Sequence, residues 1–288
     1  MNIAQIISLV LIAITLLPLL LAGNKYKAFI EPYKEDFQFI FLAPAGLYLI
    51  DRLKLMIRLS SQLVPIQQKV GNLYRAGKET QYYTKMYVAE LISTVLISLM
   101  GGSFFTLISG GDQLLLILGI VVAILLPALS IKKLDEKVNR KKQDIIFELP
   151  EFASKIALLV NAGETCQKAI IRCTLMKQDD ENPLYQELIE TVTKIQNGES
   201  FSQVMEEFSK RCGVQEVSAF TTVILLNYRR GGDQLSLSLR ELSQSLWGKR
   251  KAISKVRGEE ASSKLIFPMV LIFVVILVIV AYPALTIF

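Results

Sequence analysis

The 288-residue sequence has no histidine, three cysteines and a single tryptophan. Without His there is no Ser-His-Asp triad, no Cys-His dyad and no His-bearing zinc site. A self-phosphorylating histidine kinase is excluded on the same ground. Cys166, Cys173 and Cys212 contain no CxxC pair, so a four-thiolate metal site is excluded too. Their odd number argues against a disulfide framework. The one run that invites a phosphate-loop reading, Arg229–Arg230–Gly231–Gly232, lacks the Gly-Lys-Ser/Thr element that holds β- and γ-phosphates. No catalytic centre, metal or cofactor is expected.

Basic residues are missing from long stretches. All 32 Lys and Arg fall in two segments, ten in 23–87 and twenty-two in 132–264. Outside them lie four apolar blocks: Ile3–Ala22, Met86–Ile108, Leu114–Ile131 and Leu265–Leu285. Each is long enough, at about 1.5 Å per helical residue, to cross the ~30 Å hydrocarbon core. The first block could be a signal peptide. A retained helix fits better, because no basic n-region precedes it and Gly23–Asn24–Lys25 follows where a small-residue cleavage site would stand. Pro18, Pro268 and Pro283 are tolerable in membrane helices.

Orientation follows from the distribution of Lys and Arg. Residues 23–85 and 132–264 should be cytoplasmic, and the loop Ser109–Gln113 should be outside. Four crossings place both termini outside the cell membrane. A cytoplasmic location also lets the thiols remain reduced.

Three features need separate readings. Phe37–Ile50 is apolar but too short to span, and reads as an interfacial piece, a re-entrant piece or a packed short helix. If it crossed, the topology would invert around it. Residues 51–63 place Leu53, Leu55, Met56, Leu59 and Leu63 among Arg52, Lys54 and Arg58, an amphipathic helix on the membrane or on the domain. Gly71–Gly77 reads as a turn before the second block. Glu90, near the start of that block, is the candidate intramembrane acid, although a headgroup-level position is the commoner fate of such a residue.

Residues 132–264 carry 22 positive and 19 negative charges and read as helical throughout. Lys132–Lys142 is a solvated basic stem at headgroup level. Ile145, Ile146, Leu149, Phe152, Ile156 and Leu159 then mark one helical face. A second helix covers Thr165–Met176. Leu184, Leu188, Ile189, Val192 and Ile195 mark a third. Ser200 with Gln203 reads as a capping box before Phe201, Val204, Met205 and Phe208. A fifth helix covers Glu216–Tyr228. Asp233 caps a sixth, with Leu235, Leu239, Leu242 and Leu246 along one face, and it runs without a breaker into the fourth apolar block. The expected fold is all-α: an integral membrane protein with four transmembrane helices and one cytoplasmic six-helix bundle. Its net excess of three positive charges, with no basic-aromatic stripe, gives no reason to expect nucleic acid as a partner.

The ordered set Leu149–Pro150–Glu151–Phe152, Asn161–Ala162–Gly163–Glu164, Asn197–Gly198–Glu199–Ser200–Phe201 and Arg230–Gly231–Gly232–Asp233–Gln234–Leu235 resembles the cytoplasmic domain of type II secretion and type IV pilus platform proteins. Leu239–Arg240–Glu241–Leu242 and Arg250–Lys251–Ala252 follow at suitable distances. Glu259–Lys264 running into Leu265–Pro268 looks like the domain-to-membrane junction of the tight-adherence (Flp) branch, and Leu73–Tyr74–Arg75–Ala76–Gly77 is similar to its short members. Longer members carry two such domains. This chain has one, as do the TadB-like and TadC-like sister types, with the C-terminal block closer to the TadC-like type.

The resemblance implies a non-enzymatic membrane platform that couples a cytoplasmic secretion ATPase to pilin subunits. It also implies a sister platform protein with a second such domain, and homo- or hetero-oligomers in the bilayer. On that reading Glu148, Glu151, Glu164, Glu199, Glu206 and Glu207 are candidates for the ATPase-contact surface. The plainer reading is a solvated acidic face in which Glu151 and Lys155 form an ordinary i,i+4 pair. Gly163, Gly198, Gly231 and Gly232 read as helix-hairpin turns. A transporter or channel is the rival class. It would need several ionisable residues in the apolar blocks, or an inverted repeat of broken helices. The sequence offers Glu90, Gly101 and Gly102.

Overall fold

The computed structural model describes residues 3–23, 25–34, 37, 41–74, 79–228 and 232–287. Among them there is no strand. The chain divides into two compact units, residues 1–141 and 142–288.

In the first unit, helix α1 (Ile3–Ala22) packs on α3 (Ala43–Leu53) and α6 (Thr80–Ile108). Its buried positions are Ala4, Ser8, Thr15, Pro18 and Ala22. With half-buried Leu11 they recur at alternating four- and three-residue steps, the seam of a left-handed helix pair. The seam is made of small residues, which let helices approach where lipid supplies no hydrophobic drive. Ser8 and Thr15 donate their hydroxyls to carbonyls of their own helix, Gln5 at 2.9 Å and Ile12 at 3.0 Å, so neither is left unsatisfied in hydrocarbon. Ile6, Val10, Ile14, Leu17 and Leu21 face outward.

After α2 (Lys27–Ile30) and a 3-10 turn (Glu31–Tyr33), residues 43–50 of the stretch 37–50 form the first part of α3, a short packed helix, and residues 38–40 lie outside the described residues. Eleven residues reach about 16 Å, half a hydrocarbon core. Ala43, Ala45, Gly46, Leu47 and Ile50 are buried. A Cβ on Gly46 would stand 2.5 Å from the Ala89 carbonyl oxygen of α6, so only glycine permits this approach. Asp51 fixes the far end of α3. Its carboxylate accepts from the Tyr26 hydroxyl at 3.0 Å and pairs with Lys85 at 2.7 Å.

The single amphipathic helix expected over 53–63 is not formed. Lys54 adopts a left-handed conformation (φ 49°) that ends α3. The chain continues as α4 (Leu55–Arg58) and then α5 (Ser60–Tyr74). The expected turn at 71–77 is also corrected: Gly71 to Tyr74 are helical, and residues 75–77 lie outside the described residues. Phe29, Tyr33, Phe37, Tyr74, Tyr82 and Tyr83 interlock, with ring centroids 4.8–6.4 Å apart. Aromatic clusters of this kind sit at membrane–water boundaries.

Helix α7 (Gln113–Asn161) follows a turn at Gly110 and Gly111, and the boundary between the two units falls within it. It crosses α6 where Gly102 meets Gly119. A Cβ on Gly102 would stand 2.6 Å from the Gly119 Cα. Gly102→Leu is therefore expected to destabilise this unit by about 1–3 kcal/mol through overpacking. Gly101→Leu, with nothing within 4 Å of the added carbon, should be close to neutral. Thermal midpoints of the detergent-solubilised chain separate the two. The basic stem 132–141 is not simply solvated. Leu134 and Val138 are buried, Asp135 pairs with Lys69 at 2.6 Å, and Lys141 donates to the Asn72 carbonyl at 2.5 Å.

The second unit comprises the end of α7, α8 (Cys166–Leu175), α9 (Pro183–Gln196), α10 (Phe201–Cys212), α11 (Gln215–Asn227) and α12 (Gly232–Ile287). One core draws on all of them: Phe152 and Ile156 of α7, Ile170 of α8, Leu188 of α9, Phe208 of α10, Phe220 of α11 and Leu239 of α12 are among its fully buried members. Burying one such side chain contributes about 1.5–3 kcal/mol. Thr165 and Asn182 cap α8 and α9, accepting from the Lys168 and Leu184 amides at 3.4 and 2.9 Å. The capping box expected at Ser200 is absent. Ser200 occupies the N-cap but its side chain accepts no capping bond, and the Gln203 amide reaches forward to Glu207 at 3.5 Å. Asp233, expected to precede the sixth helix, lies inside the first turn of α12, which begins at Gly232.

Gly163 (φ +94°) and Gly198 (φ +86°) close α7 and α9 in the same way. The amides of Gly163 and Glu164 bond the Val160 and Leu159 carbonyls, and those of Gly198 and Glu199 bond Ile195 and Lys194. Both are Schellman motifs, which place a residue in the left-handed region that glycine favours.

Candidate functional site

The feature that joins the domain to the membrane is a paired stem in the second unit. The last turns of α7 and the first half of α12 run antiparallel and are fastened at three levels. At the deepest, the buried Ser243 hydroxyl donates to the Pro150 carbonyl at 2.9 Å and lies 2.6 Å from the Ser154 hydroxyl. At the middle level the Arg250 guanidinium sits over the Phe147 ring at 3.9 Å and the Trp247 ring at 4.8 Å, with the Glu151 carboxylate 3.9 Å away. The stacked guanidinium gains cation–π attraction as well as charge pairing. At the outer level Arg257 pairs with Asp144 at 2.6 Å. Eight residues on, α12 becomes the apolar run that begins at Leu265, and every residue from Leu265 to Val280 is exposed. The helix is continuous across 56 residues, roughly 84 Å. Arg250 was part of the family pattern, and Trp247 stands three residues before it, but the clamp was invisible in sequence because its other ring, Phe147, lies 103 residues away.

The candidate acids divide by environment. Glu148 pairs with Lys177 at 3.3 Å, Glu151 with Lys155 at 2.7 Å, and Glu164 with Arg172. Burial alone would lower the Lys177 ammonium, but Tyr185, Glu148 and Asp180 outweigh it and push it up. Glu207 pairs with Lys194 at 2.8 Å. Glu199 and Glu206, by contrast, are exposed. Glu206 lies on α10 and Glu199 in the turn that leads into it. Gly232 opens α12, and Gly231 lies outside the described residues, as do Arg229 and Arg230.

The hydrogen bond from Lys155 holds the Glu151 carboxyl below the usual range, against burial that would raise it. A carboxyl lowered in the folded state contributes stability that is present above its unfolded value and lost as pH falls through the folded one. The acid limb of unfolding should therefore be shallower in Glu151→Gln, read as the thermal midpoint between about pH 6 and about pH 3.

One polar cluster was not legible in the sequence. Glu187, at the centre of α9, is 1% exposed. Arg211 of α10 donates to its carboxylate at 2.9 Å, to its carbonyl at 3.2 Å and to the Thr191 hydroxyl at 2.8 Å. Sequence spacing placed Glu187 beside Leu188 on α9 but gave no reason to pair it with a residue 24 positions later. The three thiols are buried. Burial pushes Cys166 up to about 12, which removes it from thiolate chemistry. No group of three or more His, Cys, Asp or Glu able to hold a metal occurs among the described residues.

In the first unit Glu90 is half-buried on α6, one turn past Tyr87, whose hydroxyl donates to the Ser130 carbonyl of α7 at 3.1 Å. It lies seven residues, roughly 10 Å along the helix, beyond Tyr83 of the aromatic cluster. That is inside the apolar stretch and near its edge.

Four helices long and apolar enough to cross a membrane, and a helical domain continuous with the last of them, define a multi-pass membrane protein. Residues 152–283 carry a domain that matches the family model for Type II secretion system (T2SS), protein F. The match begins at Phe152, beside the stem, and extends through the apolar end of α12. No curated protein and no solved structure matches the chain.

Proposed function

We propose that the chain is the cell-membrane platform of a type IV pilus or type II secretion machine, of the tight-adherence kind. In this reading it couples a cytoplasmic secretion ATPase to the assembly of pilin subunits and has no chemistry of its own. The observation that carries the reading is the type II secretion F domain at 152–283, built on one helix that runs unbroken from the bundle core into an apolar span. Residues 23–85 and 132–264 face the cytoplasm and both termini lie outside, in keeping with where the Lys and Arg fall. The motor moves the domain. The stem passes that movement along α12, and the span shifts against pilins in the bilayer. A sister platform protein supplies a second domain of the same kind.

The ATPase-contact surface is assigned to Glu199 and Glu206, because the other candidates are engaged within the chain. Rim charges of this kind govern the rate and salt dependence of association. The test is retention of the full chain, in lipid nanodiscs, on the immobilised secretion ATPase of the same system. The double reversal Glu199→Lys with Glu206→Lys should cut retention at least tenfold at low salt, and Glu206→Gln alone by less. Undiminished retention would refute this surface. No retention of the native chain would refute direct coupling to the motor.

A further inference from the structure

Next to the end of α1 is a half-open cleft of about 550 Å³. Its lining includes Leu19, from the end of the first apolar block, and Gly23 just after it. It also includes Lys27, Ile30, Glu31 and Lys34, with Phe41 just before α3 and Pro44 in its first turn. The volume is that of a site for a small ligand or headgroup. Its chemistry is two-sided. Leu19, Ile30, Phe41 and Pro44 form an apolar floor, and Phe41 is 85% exposed. Beside the end of an apolar helix it is placed to lie against lipid, as are the exposed phenylalanines of the apolar runs, Phe105 and Phe267 among them. Lys27 and Lys34 stand exposed at the rim. Lys34 is 3.5 Å from Glu31, whereas Lys27 makes no ion pair among the described residues.

The cleft sits where a membrane helix ends on a basic segment. A basic pocket at such a level is suited to the phosphate of an anionic lipid headgroup. A free phosphate would satisfy the ammoniums but leave the apolar floor and Phe41 without purpose. A zwitterionic lipid would bring its own cation to a rim that already holds two against one carboxylate.

We infer that this cleft is a binding site for one anionic glycerophospholipid of the leaflet facing residues 23–85. Lys27 and Lys34 hold the phosphate, and Phe41 and Leu19 lie along the first part of the acyl chain. The site fixes the end of α1 against α3 at a defined depth, and it does not depend on the motor reading above.

The test is native mass spectrometry of the detergent-solubilised full chain, titrated with phosphatidylglycerol, phosphatidylethanolamine or inorganic phosphate. The native chain should retain phosphatidylglycerol at least fivefold better than phosphatidylethanolamine, and excess inorganic phosphate should not displace it. Lys27→Gln with Lys34→Gln should abolish the preference. Phe41→Ser should weaken retention of both lipids. Lys27→Arg should keep the preference, and so should Lys255→Gln, a change in the other unit. The changed side chains are exposed, so circular dichroism should be unaltered in each variant. Equal retention of the two lipids by the native chain, full preference in the double variant, or displacement by inorganic phosphate would each overturn the site.

Discussion

Arg211→Ala should destabilise the helical domain by about 3–5 kcal/mol, the cost of leaving a buried charge uncompensated. The Glu187 carboxylate is 1% exposed, and Arg211 reaches its side chain, its carbonyl and Thr191 together. Removing the guanidinium takes the cation from a buried carboxylate, while the Thr191 hydroxyl still donates to the Glu187 carbonyl at 2.7 Å. Arg211→Lys keeps the charge but loses the fork that contacts three acceptors, so it should recover only part of the loss. The double change Glu187→Leu with Arg211→Leu removes both partners and should be much milder than Arg211→Ala. Hydrogen exchange in the full chain localises the effect. Amides in 183–212 should lose protection in Arg211→Ala, while those in 80–108 should not change. A loss below about 1 kcal/mol would show that water reaches Glu187 and that the pair is not buried in solution.

Ser262→Pro should reduce filament assembly or secretion at least tenfold while leaving the domain folded. Position 262 lies between Arg257, the last fastening of the stem, and Leu265, where the apolar run begins. Proline there removes one helical hydrogen bond and clashes with the carbonyl four residues back, at a cost of about 3 kcal/mol, and it kinks the helix. The deepest core residue of α12 toward its membrane end is Leu246, well clear of the change. Packing and membrane insertion should therefore survive, and only the continuity of α12 is altered. Ser262→Ala, a good helix former, should be neutral. Pilin or substrate recovered outside the cell measures the output, and protease resistance of 142–246 measures folding. Native output from Ser262→Pro would show that the domain does not act through a stiff helix.

Much of the architecture was legible because the signals were local. The four apolar blocks, the helix faces at Leu149, Phe152 and Ile156, and the stripe at Leu235, Leu239 and Leu246 each follow from period and composition within one segment. The break at Lys54 was not, since no residue in 51–63 announces a left-handed position. The Ser200 capping box failed for a related reason: the motif permits the bond, but Gln203 finds Glu207 instead. The close approaches of Gly46 to Ala89 and of Gly102 to Gly119 were missed because a glycine's neighbour across a helix pair leaves no trace in its own segment. The site divides likewise. Acids could be located, and Glu151 with Lys155 was legible as an i,i+4 pair, but the engagement of Glu148 by Lys177 and of Glu164 by Arg172 depended on how separate helices meet.

The account turns on whether the domain meets the motor. The most direct measurement places a photo-reactive amino acid at Glu206 or at Asp112 of the full chain in living cells and identifies the cross-linked proteins. The account predicts adducts with the secretion ATPase from position 206 and none from position 112, which it puts on the opposite side of the membrane. ATPase adducts from 112, or none from 206 in cells that are assembling filaments, would contradict it.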